Sequence, residues 1–528
     1  MLPDIWHRYI FLFGIIGLAA GMLFGTVPTS IPQIILAANW LLEFDFQRKW
    51  QQLKTNKIFW VLISFFILHM LGMIYTQNYL KGLDDLRNKI PLIVLPLIFF
   101  TTNPLNEKEF KYLFKLYFLS VFVSSIYCYL VYAGYTKKNI VDVRNASVFM
   151  SHIRYSLFIS FAIIGLFYYS VKESKFYNKL LSFLIAAWLV FFMYKLDMAT
   201  GALFLILTTF FLLIVYSFKW LNKTIALSVL GVFLIVASLI ISKAYKSLNM
   251  YEPTTTNPAN IILHKTQSGN TYFHNTLSTA AENGNLININ INEDELKKEW
   301  NKRSKNNFDG LDNKGNKIRF TLLRYLASKG VAKDSVAVSK LSPEDIDHIE
   351  NGISNYEYDL HSGLISKWRE LVWEYTKFKK GENPSGHSIS MRLEFWKTGA
   401  YIFNKHPLLG VGTGDIQDSY NHMYEKTNSK LETVWRLRCH NQYLAITVAF
   451  GLFGLILFLF YLLYPAYTLR KTLHFLYWPF FSIAVLSFFT EDTLETQSGV
   501  TFFIFFQTLF LWLASAKSTP VFKNKKEL

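Results

Sequence analysis

Residues 441–466 read NQYLAITVAFGLFGLILFLFYLLYPA, a run without one charged side chain. At 1.5 Å of rise per residue, such a run makes a helix longer than the roughly 30 Å hydrocarbon core of a bilayer. Working outward from it, similar runs recur at about 473–490 and 497–515 on one side. On the other side they lie at about 8–27, 30–44, 57–76, 87–103, 111–134, 152–171, 178–195, 200–218 and 223–242. The pattern predicts an all-α polytopic membrane protein with about twelve transmembrane helices, nine before a long polar interval and three after it. The second run carries Pro32 and Glu43, and the fourth carries Pro91 and Pro96. Proline is tolerated in membrane helices where neighbouring groups satisfy the freed carbonyls.

Composition agrees. Of 528 residues 52% are hydrophobic and 17% charged, below the roughly 25% charged of soluble domains. Hydrophobicity at this level excludes a disordered chain. Two cysteines, Cys128 and Cys439, exclude a disulfide framework and a cysteine-rich metal site.

The formal net charge is +17, and its location carries the information. With the N-terminus in the cytoplasm, the inner loops hold Arg48, Lys49, Lys54, Lys57, then Lys108, Lys111, Lys115, then Lys172, Lys175, Lys179. Arg470, Lys471 and the tail lysines 517, 523, 525 and 526 follow on the same side, whereas the last outer loop holds only Glu491, Asp492 and Glu495. This is the positive-inside pattern, with both termini cytoplasmic. Basic and acidic residues nearly balance over 243–440, so the basic excess is a topology signal and does not imply a nucleic-acid partner. The first run lacks a small-residue cleavage site and reads as a retained span.

Three domains follow: 1–242 with the first nine spans, an extracytoplasmic loop domain over 243–440, and 441–528 with three spans and a basic tail. Within the loop, 250–320 is rich in Asn, Thr, Ser and Gly and reads as irregular with a short hairpin; 321–440 reads as helical. Ser342-Pro343-Glu344-Asp345 is a helix start, with an N-cap serine, proline at the first position and acids in the first turn. Amphipathic runs follow at about 360–380 and 390–404.

Polar motifs gather beside the tenth span. Arg392 lies in Ser390-Met391-Arg392-Leu393-Glu394-Phe395-Trp396. A glycine turn follows, His406-Pro407-Leu408-Leu409-Gly410-Val411-Gly412-Thr413-Gly414-Asp415, which no strand precedes and which is therefore no dinucleotide loop. The third motif is Cys439-His440-Asn441-Gln442, with Gly451 and Gly454 in the span behind it, where small residues let helices approach closely. Taken singly, Arg392 reads as a surface ion-pair partner, His440 as an interfacial polar residue, and Trp368, Trp373, Trp396 and Trp435 as packing or sugar-stacking groups.

Taken in order, Arg392-x-x-x-Trp396, the glycine turn and His440-Asn441 with nine residues before Gly451-x-x-Gly454 resemble the O-antigen ligase and polymerase family, over about 385–515. The resemblance implies a membrane glycosyltransferase of the GT-C type. It would move a glycan from undecaprenyl diphosphate to an acceptor (lipid A-core or similar) at the periplasmic face of the bacterial inner membrane. No metal or other cofactor is implied. The family's basic residue on the last loop helix falls on Arg392 and its histidine on His440, with Asn441, Asp415, Gly412 and Gly414 as acceptor or turn support. A second arginine, expected at the opening of the eighth span, is replaced here by Asp197-Met198-Ala199-Thr200-Gly201. Arg154 or Lys195 is expected to supply that charge to the diphosphate.

The chemistry suits those residues. Guanidinium groups hold phosphate oxygens bidentately while charge grows on the leaving diphosphate. An imidazole takes the acceptor hydroxyl's proton. Attack opposite the diphosphate inverts the anomeric centre. Chain polymerisation and glycan transfer to protein remain open within the family. From another class, a lipid-linked oligosaccharide flippase fits the span count, but no matched halves are visible in the sequence.

Overall fold

Several long apolar helices here begin at polar caps. Asn106 opens helix Glu107–Tyr132, its Oδ1 accepting from the Glu109 N–H at 3.0 Å while Glu109 Oε2 accepts from the Asn106 N–H at 2.9 Å. Asn441 opens Gln442–Thr468 by accepting from the Leu444 N–H at 3.0 Å. The computed structural model describes residues 3–138, 140, 143–220, 222–247, 261–278, 280–313, 315–357 and 364–518. The chain is an all-α membrane protein with one two-stranded hairpin among those residues.

Among the described residues six helices are long and apolar enough to cross a bilayer: Glu107–Tyr132, His152–Lys172, Phe176–Lys195, Ala199–Phe218, Gln442–Thr468 and Gln497–Ser518. A seventh results if Phe46–Lys54 and Lys57–Gly72, bent by 92°, count as one span. Helices also cover the other expected runs, but they are shorter or less apolar. The fourth run divides into Tyr79–Lys89 and Pro91–Thr101, because proline at 91 has no N–H with which to continue the first helix. At 11 residues, Pro91–Thr101 is about 16 Å long, half of the hydrocarbon core.

The described chain forms two compact units. The first comprises Met1–Ala226 with Arg392–Leu528. Its centre is helix Gln497–Ser518, whose phenylalanines pack against neighbouring rings: Phe502 on Phe158 at 4.2 Å, Phe506 on Phe161 at 4.9 Å, and Phe503 on Phe480 at 6.0 Å. Ser160 Oγ donates to the Gly201 carbonyl at 3.0 Å, a close approach made possible by glycine, whose Cβ would sit 2.4 Å from that of Ser156.

The second unit comprises Leu227–Met391. A hairpin pairs Ala281–Glu282 with Asn285–Leu286. Helices Glu293–Arg303, Ile318–Ser328 and Pro343–Glu350 enclose a core of Leu296, Trp300, Leu322, Leu326 and Ile349. The expected start at Ser342 is a capping box, with Ser342 Oγ accepting from the Asp345 N–H at 3.0 Å. Glu293–Arg303 lies in the stretch expected to be irregular. Its signals are local: an Asn292 cap, three acids in the first turn and Lys302 and Arg303 in the last. Residues 250–260 of that stretch fall outside the described residues.

Candidate active site

Arg392 stands near the start of helix Ser388–Lys405, and His440 immediately precedes the cap of Gln442–Thr468. The segment around His440 is tied down on every side. Trp396 Nε1 donates to the Cys439 carbonyl at 2.9 Å, the Gln442 N–H donates to the Phe488 carbonyl at 2.8 Å, and Asn441 Nδ2 donates to the Phe489 carbonyl at 3.2 Å. His440 itself has φ +44°, a left-handed conformation that costs a non-glycine residue on the order of 1–3 kcal/mol and persists only where the surroundings impose it.

The partners of both residues lie in the loop between helices Tyr477–Ser487 and Gln497–Ser518. Arg392 Nη2 donates to Glu491 Oε1 at 3.4 Å, and His440 Nδ1 lies 3.8 Å from Glu491 Oε2 and 3.5 Å from Asp492 Oδ1. Glu491 and Asp492 are buried, whereas the His440 side chain keeps 31% of its surface exposed. Burial alone would lower the imidazole's pKa, but the two carboxylates outweigh it and raise the value to about 9. Burial pushes Asp492 up, and the adjacent imidazolium and Arg438 outweigh that, leaving its carboxyl below the usual range. The resting site at neutral pH is therefore two cations around two carboxylates.

A second set of ion pairs braces this loop. Glu495 accepts from Lys89 Nζ at 2.8 Å and Gln442 Nε2 at 3.0 Å, with Arg438 Nη1 at 3.5 Å. Lys89 also reaches Asp85 at 2.7 and 2.8 Å, and Gln442 Oε1 accepts from the Leu494 N–H at 2.7 Å. Buried charges paired in this way are expensive to separate.

The glycine turn is scaffold. Val411 and Gly412 donate their N–H groups to the carbonyls of Val448 and Ala449 at 3.0 and 2.9 Å, and the Leu452 N–H donates to the Pro407 carbonyl at 2.8 Å. The tenth apolar run is broken at Gly451 (φ +63°, ψ −159°) to present these groups. A Cβ there would lie 2.2 Å from the Leu408 carbonyl carbon, so Gly451 serves backbone-to-backbone crossing within a broken helix. Asp415 accepts the Gln77 and Asn78 N–H groups at 2.8 and 2.7 Å, and the Gly414 N–H donates to Thr76 Oγ1 at 2.9 Å. Gly412, Gly414, Asp415 and Asn441 thus all act as backbone supports.

Arg154 and Lys195 stand apart from these contacts. Among the described residues neither makes an ion pair. Arg154 is half-buried, and its Nε has no hydrogen-bond partner among the described residues. The successive ring contacts Phe158–Phe502 and Phe161–Phe506 show that its helix runs parallel to Gln497–Ser518, so Arg154 lies at the end where the acidic loop opens. Lys195 is exposed, with Nζ 5.8 Å from the Phe191 ring centroid.

Sequence reasoning missed Glu491, Asp492, Glu495, Lys89 and Arg438 as site residues. The available signal was the acidic cluster between two apolar runs. By spacing alone His440, Glu491 and Asp492 could converge on a cation, their donor atoms lying within 4.8 Å of one another. The same carboxylates face Arg392 Nη2 at 3.4 Å and His440 Nδ1 at 3.5–3.8 Å.

Residues 349–459 match the model of the family described as O-Antigen ligase. That segment contains Arg392, the glycine turn, His440 and the Gly451 break; Glu491 and Asp492 lie beyond it. A search of curated proteins gives no match. The segment that carries Arg392 and His440 is thus similar to the O-antigen ligase family.

Proposed function

We propose that this protein transfers a glycan from undecaprenyl diphosphate to an acceptor hydroxyl, lipid A-core or a similar glycan, at the periplasmic face of the bacterial inner membrane. The family supports membrane glycosyl transfer as the reaction class. The observation that carries the finer reading is that one buried carboxylate, Glu491, contacts both Arg392 and His440.

Arg392 binds the diphosphate and offsets the charge that grows on it as the anomeric C–O bond breaks. Arg154, at the same end of the bundle and without a carboxylate partner among the described residues, is the better placed second cation. His440, oriented by Asp492 and Glu491, takes the acceptor hydroxyl's proton as the oxygen attacks. The new bond forms opposite the departing diphosphate, which inverts the anomeric centre. Permanent cations do the work a metal ion would otherwise do, so the reaction needs no metal.

Purified protein in detergent, given an undecaprenyl-diphosphate-linked glycan and lipid A-core, should form a new glycosidic bond. Detergent offers no sealed compartment, so a flippase gives no product. His440→Ala should lower the rate by about 10²–10⁴ with unchanged membrane abundance. Wild-type-like transfer by that variant removes His440 from the mechanism.

A further inference from the structure

Where the apolar run 441–466 ends, an open groove of about 660 Å³ lies between helices Gln442–Thr468 and Tyr477–Ser487. One wall is Leu459, Leu463 and Ala466, spaced i, i+4 and i+7 and so on one face of the first helix. The other is Trp478 and Phe481, three residues apart on the second. Nearer His440 the same two helices close on each other, with Tyr443 Oη donating to the Val485 carbonyl at 3.1 Å and the Phe458 and Phe488 ring centroids 5.8 Å apart. The pair that meets beside the candidate site is thus open at its other end.

The groove has the length of one leaflet. From Leu459 to the helix end at Thr468 is about 14 Å, close to the roughly 15 Å that one leaflet contributes to the hydrocarbon core. An apolar trough of this length takes an acyl chain lying along the helix.

The mouth of the groove is cationic and aromatic. Arg470 lines it, its Nη1 donating to the Tyr467 carbonyl at 2.8 Å and its guanidinium carbon 4.1 Å from the Tyr467 ring centroid. Those contacts involve no carboxylate and leave Nε and Nη2 for a ligand. Lys471 follows, also exposed, and among the described residues neither side chain makes an ion pair. A guanidinium in that state holds phosphate oxygens bidentately. Tyr464, Tyr467 and Trp478 beside it are the aromatic types that lie at headgroup level, and charge bias gives this end to the cytoplasm. The whole run 441–466 separates a phosphate at Arg470 from His440, so a donor or acceptor that must react at His440 does not suit this groove.

We propose that this groove binds one acidic glycerophospholipid of the cytoplasmic leaflet, its phosphate on Arg470 and Lys471 and an acyl chain along Leu459, Leu463 and Phe481. Full-length protein, delipidated in detergent, would be given phosphatidylglycerol and phosphatidylcholine in equal amounts, with retained lipid counted by native mass spectrometry. The tightest-bound lipid should be phosphatidylglycerol, preferred about 30-fold, the combined pull of two basic residues on an acidic headgroup. Arg470→Gln with Lys471→Gln should abolish that preference. Leu463→Trp, which fills the trough and leaves both cations in place, should weaken retention of either lipid about tenfold. All three positions are exposed, so the variants should fold. Bound phosphatidylglycerol should also raise the thermal midpoint of the wild type and not that of the double glutamine variant. Equal retention of the two lipids by the wild type, or a preference that survives both glutamines, overturns the proposal. Retention indifferent to Leu463→Trp would place the lipid on surface charge alone and overturns the groove as its site.

Discussion

An imidazole between two buried carboxylates is a strong base that spends most of its time protonated. With a pKa of about 9, roughly 1 in 100 His440 side chains is neutral at pH 7, and that fraction rises tenfold with each pH unit until about pH 9. The transfer rate under kcat/KM conditions should follow the same rise. Asp492→Asn, which removes one carboxylate, should move the inflection toward lower pH. A rate that is flat or falls between pH 7 and 9 would show that the imidazolium is the working form. Lys89 tests the brace behind the site. Lys89→Met leaves Asp85 and Glu495 buried without their shared cation, a loss on the order of 3–5 kcal/mol. Its thermal midpoint in detergent should fall by several degrees, and wild-type stability would mean that the pair adds nothing.

At the scale of elements, the decisive feature is a helix that stops being one. Gln442–Thr468 reads from hydropathy as a single uninterrupted span, yet Gly451 breaks it so that the turn around Leu408 can hydrogen-bond across the gap. Gly451→Ala places a methyl group 2.2 Å from backbone and asks an L-residue to hold positive φ. The variant should lose stability and transfer together, because the displaced turn is the one that Asp415 clamps to Gln77 and Asn78. Full transfer by Gly451→Ala would mean that the crossing is not required. The glycines were visible as a motif, and close approach was the expected reason. The break was not foreseeable, because nothing in the local sequence distinguishes a glycine that packs from a glycine that unwinds.

For the whole molecule, the basic loops predict cytoplasmic termini and an outward-facing acidic loop. Single cysteines placed at Lys471 and Thr490, in a chain with Cys128 and Cys439 replaced, should differ: an impermeant thiol reagent should label position 490 in intact cells and spare position 471. The reverse pattern would place the site on the cytoplasmic face. The all-α membrane class and helix caps such as Ser342 were legible beforehand because each depends on residues within a few turns of one another. The division of the fourth run was half legible, since Pro91 marked it. The acidic partners were not legible: Arg392 and Glu491 are 99 residues apart, and Lys89 and Glu495 are 406 apart. Periodicity says which residues enter a bilayer, but which charges meet there follows from how the helices cross. Only the folded chain decides that, because an ion pair depends on distances of a few ångströms that no one-dimensional pattern encodes.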